Sequence, residues 1–207
     1  EKNYICDHCY KSFAVEAVAD AQGIAVDGRS IGCTHNDGIA DTDWSQCDLV
    51  LEASGAWNRR EALQAYLDQG VERVVVTAPV RHPEVLNIVL GVNDALFDPG
   101  LHPIVTAASC TTNCLAPVVK VILDHLGIER GTMTTVHDIT NTQSILDSHH
   151  RDLRRARASS LNLIPTTTGS ARAITDIFPA LAGRLDGHAV RVPLANASLT
   201  DCVFQVS

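Results

Sequence analysis

Residues 47–54 read CDLVLEAS, a short and nearly continuous apolar run closed by Gly55, as a strand buried in a parallel sheet would be. An N-x-x-E pattern at 58–61 supplies the side chains that satisfy free amides at a helix start. Ala62, Leu63, Ala65, Tyr66 and Leu67 then give a helical apolar stripe, and Gly70 a stop. VERVVVTAP follows at 71–79, β-branched and ended by Pro79. Strand, capped helix and strand predict a βαβ unit with a right-handed crossover and parallel strands. Two further apolar runs, at 85–93 and 102–109, continue this half. The second leads into a predicted helix, TTNCLAPVVKVILDHLG. Leu115, Val118, Val119, Ile122 and Leu126 lie on one side of it, and Pro117 should bend it.

Beyond Gly127 the pattern alternates. GTMTTVHDI, GHAVRVPLA and TDCVFQV read as antiparallel strands, with an Arg-rich helix around residues 151–157 and a second helix in SARAITDIFPAL between them. The expected fold class is α/β followed by α+β, with the boundary near Cys110. A dinucleotide-binding α/β half should open with a strand, a G-x-G-x-x-G turn and a helix. Nothing between Glu1 and Asp43 fits. Either no dinucleotide binds, or the chain has lost its beginning.

A net charge of −8 and a pI near 5.5 argue against nucleic acid or an anionic membrane as the main partner. Arg151, Arg154, Arg155 and Arg157 form a local basic cluster that suits a small anion, or simply a solvated face. No apolar run is long enough to span a bilayer. No secretory signal is visible. The seven cysteines are odd in number and dispersed, the usage of reduced thiols in a cytoplasm. Cys6-x-x-Cys9 resembles half a zinc finger. Residues 14–32 hold no histidine to complete one, so no metal is expected.

Cys110 and Cys114 stand one helical turn apart and could form a disulfide, half a metal site, or one reactive thiolate with a passenger. Cys110 sits at the predicted helix start, where the dipole and unpaired amides favour the thiolate; Cys114 lies a turn further in. His137, at the end of a strand, is the candidate base and later acid. PTTTGSA at 165–171 offers hydroxyls and a glycine amide before another helix, suited to an oxyanion. The plainer alternatives are a small buried cysteine, a satisfied core histidine and an ordinary helix cap.

ASCTTNCLAP, TTVHDITNTQ, HRDLRRARA, NLIPTTTGSA and HAVRVP, in this order, resemble the glyceraldehyde-3-phosphate dehydrogenase family, as does LVLEASG…VVVTAP…GVN upstream. ADTDW, HDITNTQ and VPLANASLTDCVF look most similar to the form encoded in arsenic-resistance operons beside an organoarsenical exporter. The resemblance implies part of a Rossmann-type NAD-binding domain at 1–109 and part of an α+β catalytic domain at 110–207. It implies Cys110 as acylated nucleophile and His137 as its base, with Ser109 and Thr111 flanking the aldehyde. Thr140 and Arg191 would hold the C3 phosphate of glyceraldehyde 3-phosphate. Ser109, Thr168, Gly169 and Arg155 would hold the attacking phosphate or arsenate, and Ser54, Gly55 and Thr77 would lie along NAD. It further implies a cytoplasmic homotetramer, with residues 140–162 and the loop PLANAS at a subunit interface. Where the family usually has a basic residue near the cofactor, Asp37 falls here.

Two other classes remain open on the residues alone. A Cys–His acyl-transfer enzyme would need no dinucleotide. A non-catalytic piece of a larger enzyme would leave apolar surface uncovered.

Overall fold

The computed structural model describes residues 2–5, 12–15, 17–20, 23–140, 142–194 and 196–207; Cys6 and Cys9, the half zinc motif, lie outside them. Two units form, residues 1–46 and 47–207. In the first, β1 (Lys2–Ile5) pairs antiparallel with β2 (Ser12–Val15). β3 (Ala17–Asp20), β4 (Gly23–Val26) and β5 (Arg29–Ile31) make an antiparallel meander. Asp27 and Gly28 both have positive φ, 47° and 74°, the two-residue turn whose twist matches a hairpin.

The second unit opens with the expected parallel sheet. β6 (Leu49–Glu52), β7 (Arg73–Val76), β8 (Leu86–Asn87) and β9 (Ile104–Thr106) lie in the order β6-β7-β9-β8, all pairs parallel. α1 (Arg60–Leu67) makes the crossover and buries Leu63 and Tyr66. Two expectations change here. The helix is preceded by Arg59 without a side-chain cap, so Asn58 does not cap it. β6 is an edge strand: Val50 and Glu52 are buried, whereas Leu49 and Leu51 are 55% and 66% exposed on the opposite face. The run at 85–93 yields only the two residues of β8, because Asn87 and Asn93 side chains bond the backbone at Val80 and Val89 and turn it.

α2 (Cys110–Leu126) follows β9 directly, with Pro117 inside it and Gly127 at φ 71° ending it. Its buried face is Leu115, Ala116 and Val119, with Ile122 and Leu123 half-buried. That face is centred nearer Ala116 than the sequence stripe suggests. Val118 therefore points outward at 45% exposure, and Leu126 emerges at the helix end.

β10 (Arg130–His137), β11 (Ile164–Thr167), β12 (Leu185–Arg191) and β13 (Ser198–Gln205) form a mixed sheet ordered β11-β12-β10-β13. β10 and β12 run parallel, contrary to the all-antiparallel expectation; the other two pairs are antiparallel. α3 (Ser170–Ile177) supplies the crossover, ending before Pro179. The core joins α2, α3 and this sheet through Leu115, Val119, Ile128, Met133, Ile174 and Leu181. A fully buried Leu or Ile of this kind contributes about 1.5–3 kcal/mol.

The expected Arg-rich helix is a single 3-10 turn, Leu153–Ala156. Leu153 is 79% exposed, so the segment has no apolar stripe to dock, and Asp152 ties it locally by accepting from Arg154 N. Among the described residues no helix is long and apolar enough to cross a membrane.

Candidate active site

The carboxyl ends of the parallel strands converge on one chemistry-bearing edge. Ser54 and Gly55 follow β6, Thr77 follows β7, and Cys110 follows β9 after three residues. This is where open α/β sheets bind ligands. Buried Glu52 organises part of it, accepting from Tyr66 Oη at 2.6 Å and from the amide and hydroxyl of Ser54. Burial, then the Glu52 bond and charge, push the Tyr66 phenol well above its ordinary range. Thr77 donates its amide and hydroxyl to Glu52 O.

The turn before Cys110 is strained. Ala108 is buried with φ 56°, a left-handed conformation that costs an alanine about 1–2 kcal/mol. Asn113 Nδ2 clamps the turn by donating to Ala107 O and Ser109 O at 2.7 and 2.9 Å. Ser109 caps α2, its hydroxyl accepting from Thr112 N at 3.2 Å and meeting Thr112 Oγ1 at 2.7 Å. Cys110 is thus the first helical residue, and its thiol is exposed. Cys114 is also an exposed free thiol.

His137 Nε2 lies 3.6 Å from Cys110 Sγ, and buried Thr111 places Oγ1 4.0 Å from the same sulfur. A cleft of about 250 Å³ opens here between Cys110, Cys114, His137 and Asp138 and the loop residues Asn196 to Ser198. Strand register supplies the next partner. His137 pairs with Arg191 across β10 and β12, so both side chains fall on one face. Arg191 Nη1 comes within 2.6 Å of His137 Nδ1 and donates to Asp138 O at 2.9 Å.

Arg191 is half-buried, and its Nε is enclosed without a hydrogen-bond partner among the described residues. Burial first, then the charge of Arg155, pull its guanidinium down from the ordinary range, while Asp138 and Cys110 oppose this. Two guanidinium groups held near each other, one with an orphaned donor, make a site that favours an anion. Arg155 is aimed by a relay: its Nε donates to Thr166 Oγ1 at 2.7 Å, and Thr166 in turn donates to Asp152 Oδ2 at 3.4 Å.

Thr168 accepts from Ser170 N at the start of α3, beside Gly169. Thr140, three residues past His137, is turned toward Gln143 and Thr142. Among the described residues no hydrogen bond ties Thr140 to Arg191, or Thr168 to Arg155. Two charged residues escape the sequence reading. Asp138 stands against His137, and Arg81 Nη2 comes within 3.3 Å of where a side chain on Gly169 would begin. Arg81 also lines a separate polar cleft of about 410 Å³ with Arg59, Arg60 and His82. An i+1 carboxylate beside a strand-end histidine is the signal that could have found Asp138; nothing in sequence links Arg81 to Gly169. No group of three or more metal-ligating side chains forms among the described residues.

Residues 109–207 match the family described as glyceraldehyde 3-phosphate dehydrogenase, C-terminal domain. The chain is 53% identical to glyceraldehyde-3-phosphate dehydrogenase 3 of Nostoc sp. over 203 residues, covering 97% of this chain and 60% of that protein. It is 43% identical to glyceraldehyde-3-phosphate dehydrogenase 2 of Bacillus subtilis over 202 residues, 97% of this chain and 59% of that one. The chain therefore spans about 60% of the length of these relatives. Cys110, His137, Arg155 and Arg191 all lie within residues 109–207, the part similar to that C-terminal domain.

Proposed function

We propose that the chain supplies the reacting cysteine of a phosphorylating, NAD-dependent glyceraldehyde-3-phosphate dehydrogenase, with residues 1–109 from its cofactor-binding domain and 110–207 from its catalytic domain. The observation that carries this reading is the approach of Cys110 Sγ to His137 Nε2 at the carboxyl edge of a parallel sheet, with Arg191 and Arg155 alongside.

His137 takes the thiol proton, leaving the electron pair on sulfur. The thiolate adds to the aldehyde carbon, and the carbonyl π pair moves to oxygen, giving the hemithioacetal on Cys110 as its oxyanion while His137 keeps the proton. Ser54, Gly55 and Thr77 fit a nicotinamide: they sit at strand ends, and Gly55 leaves open space where a side chain would stand. NAD, when bound there, supplies the two-electron acceptor that converts hemithioacetal to thioester. Phosphate oxygen then attacks the thioester carbonyl and sulfur departs, regenerating the thiolate and releasing an acyl phosphate.

Arg191 with Thr140 holds the substrate's C3 phosphate; Arg155, Thr168, Gly169 and Ser109 hold the attacking anion. Arsenate is nearly isosteric, and such a site rejects near-isosteres weakly. The similarity of HDITNTQ and VPLANASLTDCVF to the arsenic-operon form supports arsenate as an alternative attacking anion, with a part in arsenate detoxification. The complete protein is proposed to be a cytoplasmic homotetramer. Ile145, Leu146, Leu153 and Leu161, in the segment assigned to an interface, are 70–85% exposed and support it.

The test is initial rates of NADH formation by the full-length enzyme with phosphate and arsenate titrated separately. Cys110→Ser should abolish the rate and Cys114→Ser should leave it largely intact. Activity surviving Cys110→Ser would refute the assignment. Thioester turnover without NAD would favour acyl transfer, and turnover with phosphate alone would remove the arsenate reading.

A further inference from the structure

His137 Nδ1, on the far side of the ring from the sulfur, is contested. Arg191 Nη1 lies 2.6 Å from it, and Asp138 Oδ1 lies 2.7 Å from it. The backbone carbonyl of Asp138, at 2.9 Å, also faces this nitrogen. A guanidinium only donates hydrogen bonds and a carboxylate only accepts them. Nδ1 bears either a lone pair or an N–H, so it satisfies one side at a time. His137 and Asp138 side chains are only 10% and 20% exposed, so water does not easily relieve the conflict.

The choice passes through the ring to the sulfur. With Arg191 donating to Nδ1, the neutral ring carries its hydrogen on Nε2. It then offers Cys110 a donor and has no lone pair to receive the thiol proton. With Nδ1–H donating to the Asp138 carboxylate, the Nε2 lone pair faces the thiol. The S–H bond can then break toward Nε2, the pair remains on sulfur, and Asp138 stabilises the resulting imidazolium. Arg191 has reason to leave, because its Nε is unpartnered and Arg155 repels it.

We propose that Asp138 is a positioning residue for His137, and that Asp138 and Arg191 compete for Nδ1. Phosphate captured by Arg191 thereby hands Nδ1 to Asp138 and turns His137 from a donor toward Cys110 into its base. The phosphate trigger rests on the role proposed above for Arg191; the competition itself rests on the two contacts. The charged groups facing the ring are Cys110, Asp138 and Arg191, with Arg155 behind Arg191.

Long-range proton–nitrogen NMR correlations of the His137 ring, assigned by loss of its signals in His137→Gln, read the tautomer without aldehyde or NAD. In the 207-residue chain the anion-free ring should be the Nε2–H form, and inorganic phosphate should shift it to Nδ1–H. Arg191→Gln should show Nδ1–H without phosphate. Asp138→Ala, and Asp138→Asn beside it, should lose the phosphate-induced shift. General loss of structure could not move the two sites in opposite directions. The same tautomer in wild type and Arg191→Gln, or an undiminished phosphate response in both Asp138 variants, would overturn the proposal. If the tautomer exchange holds while the full-length enzyme forms no NADH, the dehydrogenase reading fails and this one stands.

Discussion

Cys110 Sγ and His137 Nε2 are 3.6 Å apart although 27 residues separate them in the chain. Two independent pieces of architecture meet there. A strained turn at Ala108 delivers the sulfur to the start of α2, and β10 ends with the imidazole facing it. Neither residue depends on a flexible tether, so the pair is set by the packing of α2 against the mixed sheet.

The Arg155 relay predicts a selective loss. Thr166→Val removes the hydroxyl that accepts from Arg155 and donates to Asp152, with little change in volume. Hydrogen bonds to charged groups are worth about 1.5–3 kcal/mol. On the proposal that Arg155 holds the attacking anion, the KM for phosphate in the full-length enzyme should rise about tenfold or more, with a smaller effect on kcat. An unchanged KM would show that Arg155 does not meet the attacking anion.

Tyr66→Phe tests the edge proposed to hold NAD. It strips buried Glu52 of the phenol donor at 2.6 Å, and an unsatisfied buried acceptor costs about 1–3 kcal/mol. The urea midpoint should fall accordingly, while the alkylation rate of Cys110 stays unchanged.

Gly187 permits β10 and β12 to approach. A β-carbon there would stand 2.7 Å from Met133 O and closer still to the Met133 side chain. Gly187→Ala must push β10 and β12 apart at the Met133–Gly187 pair, four residues from the pair that aligns His137 with Arg191. A loss of about 1–3 kcal/mol is expected by denaturant titration, with lowered Cys110 reactivity.

Asp152 gives a pH signature. The Arg154 hydrogen bond chiefly holds its carboxyl down from 3.8 to about 2, with the Arg154 amide and charge and Thr166 adding to this and desolvation opposing it. A carboxyl depressed on folding stabilises fully above its unfolded value and loses that contribution as pH falls through its folded value. The stability gap between wild type and Asp152→Asn should stay constant from pH 7 to 5 and close between about pH 4 and 2.

Much of this was legible in local pattern. The βαβ unit, the helix starting at Cys110 and the strand ending at His137 follow from apolar period and from glycine and proline punctuation. What escaped depended on distant partners. β10 and β12 alternate as antiparallel strands do, yet pair in parallel because α3 carries the chain back between them. The arginine-rich run has helical composition, but Leu153 is exposed and docks no apolar stripe on the described residues of the chain. Ser109, Thr168 and Arg155 were named from motifs. The caps of Ser109 and Thr168 are local, whereas the Arg155 relay and the contest at His137 arise only when β11 meets the 153–156 turn and β10 pairs with β12.

The most direct measurement compares two thiols in one molecule. Iodoacetamide at pH 7 should alkylate Cys110 roughly tenfold or more faster than Cys114 by peptide mass spectrometry, a difference of about 1.4 kcal/mol. Both are exposed, so access alone does not separate them. His137→Asn should remove most of the advantage. Equal rates for the two cysteines in the wild-type chain would contradict the claim that Cys110 is the working nucleophile.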